Sequence, residues 1–167
     1  MALICSQGIR SVSLREMDSP MGTDKYLGST KLEPFEQKAT LTINEATRRV
    51  MISLGGYASE ILLLDGVANV GGDDLTSAVK WIEVMMQSEE FRVLATRLPV
   101  PAIGVLDMIA DSTVRACIDY QMHLCIEKIA PFTPVIQLIA EELYKKEELT
   151  GDEITTLFNS FMQPSVR

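Results

Sequence analysis

The side chains in this chain that could do chemistry are few, and most of them gather in one stretch. Asp73 and Asp74 follow Gly71-Gly72 and open an apolar, helix-periodic run at Leu75. Upstream, Glu60 ends the segment Leu54-Gly55-Gly56-Tyr57-Ala58-Ser59-Glu60. An acidic pair at a helix start can form half of a metal or anion-relay site, because the macrodipole favours a carboxylate there. The same pair can simply cap the helix, and Glu60 can simply be a solvated carboxylate on a helix face. Glycine in a helix interior costs about 1 kcal/mol against alanine. The pair Gly55-Gly56 therefore implies close approach of another backbone or a functional group, and tight helix packing explains it better than chemistry. His123 is the single histidine. It is two residues from Cys125, so on a helix the two do not share a face and do not make a metal pair. Cys117 and Cys125 sit on an apolar stripe as packing residues.

These groups need elements to hold them. Ile9, Val12 and Leu14, separated by polar residues, read as a short half-buried strand. Residues 15–40 hold Pro20, Gly22, Gly28 and Pro34 and read as turns around one more strand near Tyr26 to Thr30. Asn44 is expected to cap a helix running to about Leu64, with Val50, Met51, Leu54, Ala58, Ile61 and Leu62 on one face and Asp65-Gly66 ending it. The next helix starts at Asp73 or Asp74 and buries Leu75, Ala78, Val79, Ile82, Met85 and Met86. Residues 97–106 are not regular helix. A long helix is expected from about Ser112 to Ile129, stopped by Pro131. Another follows to about Glu148, with Thr133 as its expected N-cap and Pro134 in its first turn. Thr150-Gly151-Asp152-Glu153 is a capping box, with Leu149 and Ile154 as its hydrophobic staple, and launches a last helix that ends before Pro164. The expected fold class is mainly α, a helical bundle-like domain with a small β element near the N-terminus.

Composition narrows the function classes. The 167 residues fit one domain with a real core. The net charge of −8 and the lack of a Lys/Arg cluster argue against nucleic acid as a partner. The apolar runs are too short for a membrane segment, and no signal peptide is visible. Three cysteines without CxxC spacing argue against a disulfide framework and for a cytoplasmic location.

The pattern Leu54-Gly55-Gly56-x-Ala58-x-Glu60, then Gly71-x-x-Asp74-Leu75-x-x-Ala78, resembles the peptidase domain of the FtsH family of ATP-dependent zinc metalloproteases. Ile9 to Leu14 and Tyr26-Leu27-Gly28-Ser29-Thr30 resemble the family's short strand and its Ala-Leu-Gly-Tyr-Thr segment. Val114 to Phe158 resembles its C-terminal helices, including Leu149 to Ile154. The resemblance covers most of the chain in the right order. It implies that residues 1–167 form a single peptidase-like domain, N-terminally incomplete relative to the family, with the β element and loops in 1–40 and helices in 41–167. It also implies that Asp74 matches the third zinc ligand and that Glu60 stands close to the zinc histidines, where it can orient a ligand imidazole.

One departure dominates. The family's His-Glu-x-x-His helix, which supplies two ligands and the general base for the metal-bound water, is absent. In the family the second histidine precedes the aspartate by roughly seventy residues, so counting back from Asp74 lands near Met1, and Met1 to Cys5 resembles the back half of that helix. Either the parent chain carries the histidines upstream, or this is a peptidase-like protein that lost them. The expectation is a peptidase-domain region with no catalytic residue of its own, inactive as written, with zinc implied by the family yet not held by this chain. The alternative is a non-catalytic scaffold or adaptor that binds a protein partner. No Gly-x-x-x-x-Gly-Lys-Ser/Thr is present, so ATP is not bound here. What the resemblance adds for the parent is a peptide or protein substrate, a hexameric homo-oligomer and an anchor to the inner membrane through an upstream segment. With the zinc helix missing, Leu54, Ile61 and Ile82 are expected to border an uncovered apolar groove that favours self-association.

Overall fold

Thr42 and Glu45 fix the start of the longest helix, α1 (Ile43–Leu63). The Glu45 backbone N–H donates to the Thr42 hydroxyl at 3.2 Å, and the Glu45 carboxylate accepts from the Thr42 backbone N–H at 2.9 Å. This corrects the expected cap at Asn44. A reciprocal box needs a glutamate three residues beyond the cap, and Thr42 has one where Asn44 has Thr47. The C-cap is Leu64, as the periodicity implies, while Asp65 and Gly66 lie outside the described residues. The computed structural model describes residues 1–14, 17–18, 25–26, 28–35, 41–64, 73–99 and 109–162. The expected end of the last helix before Pro164 and the irregular stretch through Pro101 and Gly104 fall partly or wholly outside them.

The architecture is mainly α with a small sheet built largely from the N-terminal strands. The chain divides into two compact units, one of Met1 with residues 37–131, the other of residues 2–36 and 132–167.

In the first unit α1 packs against α2 (Asp73–Met85) and α4 (Ser112–Ile129), with the short α3 (Glu89–Ala95) also against α4. The helix-periodic stripes meet as the core: Val50, Leu54 and Ala58 of α1, Ala78 and Ile82 of α2, and Ile118, Cys125 and Ile129 of α4 are all buried. Burial of Leu54 and Ile82 corrects the expected groove. Neighbouring helices cover both side chains, and only Ile61 keeps partial exposure. The Cys125 thiol donates to the Met51 carbonyl oxygen at 3.6 Å, and the Arg49 guanidinium lies 4.4 Å from the centre of the Trp81 ring, tying α1 to α2. The helix α3 was not anticipated. Its signal is Ser88, whose hydroxyl caps the Phe91 N–H with Glu89 and Glu90 in the first turn. Asp111 caps α4 by accepting from the backbone N–H groups of Thr113 and Val114.

In the second unit β1 (Ile9–Ser13) pairs antiparallel with β4 (Ser29–Leu32) on one side and β5 (Glu148–Thr150) on the other, and Val12 faces Thr30 and Leu149 in register. Two-residue strands β2 (Met17–Asp18) and β3 (Lys25–Tyr26) form a separate antiparallel pair. A 3-10 turn over Ala130–Phe132 contains Pro131 and leads into α5 (Thr133–Lys146), with Phe132 rather than Thr133 at the cap position. The helix α5 stops two residues short of Glu148, because Glu147 takes a left-handed φ of 62° and the chain then joins the sheet as β5. The helix α6 (Gly151–Met162) starts as expected: Thr150 and Glu153 form the reciprocal box. Leu149 and Ile154 are both buried, in one cluster with Leu143. A Cβ at Gly151 would overlap the Ile9 carbonyl oxygen, so this turn needs glycine for close approach of β1.

Candidate functional site

The residues singled out in the sequence come together in the first unit, where α1 meets the start of α2. Gly55 is buried, and a Cβ there would stand 2.5 Å from the Met1 Cβ. Gly56, one residue on, faces α2: its added Cβ would lie 3.9 Å from Asp74 Oδ2. The two glycines thus admit different neighbours, the Met1 side chain at one and the Asp74 carboxylate at the other. Ser59 donates its hydroxyl back to the Gly55 carbonyl at 2.8 Å, an i−4 bond that holds the helical turn across the pair.

Glu60 lies one turn beyond Gly56 on the same α1 face. Its Oε2 is shielded from solvent and has no hydrogen-bond partner, and the same holds for the Tyr57 hydroxyl three residues earlier. Burial first, and then the Glu60 charge, push the Tyr57 phenol above its ordinary value. Asp74 keeps much of its surface in solvent, yet its carboxyl end rests against α1. Desolvation, followed by the neighbouring Asp73 charge, raises its pKa from the ordinary aspartate value. The arrangement is therefore an acceptor-rich patch, two carboxylates and a phenol, with orphaned oxygen atoms. Buried oxygens of this kind are seldom left unmatched in native proteins. Tyr57 was not singled out from sequence. Its only signal is the i, i+3 spacing to Glu60, which alone does not distinguish it from a packing aromatic.

His123 is on α4 of the same unit. It is exposed, and its Nδ1–H donates to the Asp119 carbonyl oxygen at 2.9 Å. Cys125 is buried, so the two residues project from different sides of the helix. Burial, then the charge of Asp111, pushes the Cys117 thiol up to about 11, which makes it a packing residue and not a nucleophile. None of the three cysteines is in a disulfide.

No family model matches the chain. It is similar to the ATP-dependent zinc metalloprotease FtsH 2 of Thermoanaerobacter sp., with 25% identity over 154 residues that cover 90% of this chain and 29% of that protein. It is also similar to FtsH 3 of Symbiobacterium thermophilum, 23% identical over 158 residues, covering 84% of this chain and 25% of that protein. A third relative, FtsH of Acaryochloris marina, is 24% identical over 149 residues, covering 80% of this chain and 23% of that protein. The chain thus spans less than a third of the length of these relatives, and the likeness is that of a distant relationship to FtsH.

The zinc in the relatives' names can be tested against the residues present. A catalytic zinc takes three protein ligands and leaves a position for water. Among the described residues no group of three or more His, Cys, Asp or Glu side chains is placed to hold a metal ion. Asp74 offers one carboxylate, and the single imidazole is bonded to its own helix. Among the described residues this donor set does not make up the three ligands of a catalytic zinc. No helix among the described residues is long and apolar enough to cross a membrane.

Proposed function

We propose that this chain is the peptidase-domain-like region of an FtsH-like metalloprotease and that, as written, it does not hydrolyse peptide bonds. The observation that supports this most is the meeting of Asp74 with Gly56, one turn from Glu60. The aspartate opens α2 and the glutamate lies on α1, so the two carboxylates that the family pattern picks out belong to two helices that meet at Gly56. The distant similarity to three FtsH proteins over most of the chain points the same way. Hydrolysis by such a protein needs a metal-bound water and a glutamate to take its proton. In this chain Asp74 is a single ligand candidate, Glu60 is a group that would orient an imidazole, and no residue is assigned the role of base. Gly55 and Gly56 act structurally, letting Met1 and Asp74 approach α1.

A second reading, a peptidase-derived scaffold that holds a protein partner, gains support from the sheet. Among the described residues the order β4-β1-β5 puts β4 at an edge, and an edge can take up an extended segment through main-chain hydrogen bonds.

Elemental analysis and casein hydrolysis separate these readings, using this chain and a form extended upstream in its reading frame by about thirty residues, enough for a helix and its cap. The first reading expects no zinc and no hydrolysis from the chain as written. It expects stoichiometric zinc and hydrolysis from the extended form, both lost on Asp74→Asn. Zinc in neither form would favour the scaffold. Zinc and hydrolysis from the chain as written would overturn the proposal.

A further inference from the structure

We draw no further inference here: the strongest candidate, the side-chain cluster of Tyr57 and Glu60 on the α1 face that Asp74 meets at Gly56, belongs to the site already described, and nothing among the described residues points to a ligand beyond it.

Discussion

The two units treat their polar groups differently. In the second unit, the ends of α5 and α6 are tied by matched partners. Lys146 reaches the Glu153 carboxylate at 2.7 Å, Lys145 reaches Glu142 at 2.7 Å, and Thr150 completes the cap of α6. In the first unit, the shielded oxygens of Tyr57, Glu60 and Gln121 lack partners, and Gln121 is only 8% exposed. An unmatched buried acceptor costs about 1–3 kcal/mol, whereas a matched one contributes a modest net gain. Of the three residues with unmatched oxygens, Tyr57 and Glu60 lie on α1 at the candidate site, and Gln121 lies on α4.

The largest effect expected from a single change tests the close approach in the second unit. Gly151→Ala sets a Cβ against the Ile9 backbone, which cannot swing aside like a side chain, and should lower stability by about 1–3 kcal/mol in urea unfolding. A neutral result would mean that β1 and α6 are not in contact as described. Tyr57→Phe tests the opposite idea in the first unit. Removing an orphaned hydroxyl should leave stability unchanged or raise it by about 1 kcal/mol. A clear loss would show that the hydroxyl has a partner, and the contrast between the units would fail.

The pH response should differ in sign. The Glu153 carboxylate is held down to about 2, first by its hydrogen bond with Lys146 and then by the Thr150 backbone and hydroxyl. A depressed folded value gives stability that is present above the ordinary value of 4.5 and is lost as pH falls toward 2. Glu153→Gln should remove that acid-limb loss, and thermal melts between those pH values would detect it. An unchanged pH profile would deny the pairing. Asp74 is raised, so its contribution is fully present below the unfolded value and lost as pH rises through the folded one. Asp74→Asn should flatten that dependence and stabilise the protein slightly at neutral pH, by less than about 1 kcal/mol given its exposure to solvent. Destabilisation at neutral pH would instead assign the carboxylate a capping role in α2.

Signals confined to a few neighbouring residues were legible in the sequence. The box at Thr150 and Glu153, its staple of Leu149 and Ile154, and the span of α4 all follow from local patterns and stand in the structure. Competing local signals misled at α1, where Asn44 is a good cap by type but Thr42 has the glutamate at the right distance. The strand β5 was invisible because its three residues carry no period and owe their conformation to β1, far away in the chain. The short α3 was overlooked although Ser88-Glu89-Glu90 announces it. At the site, the glycine pair was readable as close approach of another element, and the start of α2 at Asp73 or Asp74 was readable from its apolar period. The partition of the glycine pair between Met1 and Asp74 was not, because it depends on how α1 is rotated against its neighbours.

The stacking of Arg49 on Trp81 has a practical consequence. Trp81 is the one tryptophan of the chain, and it sits on α2 with its ring against Arg49 of α1, seven residues after Asp74. Indole emission from the whole protein is therefore a private channel from the first unit, while the second unit is dark at that wavelength. A melt followed by fluorescence would record only the parting of α1 from α2, and circular dichroism would record every helix. If the two curves separate, and the gap between them opens or closes with acid, the molecule itself will have sorted its halves.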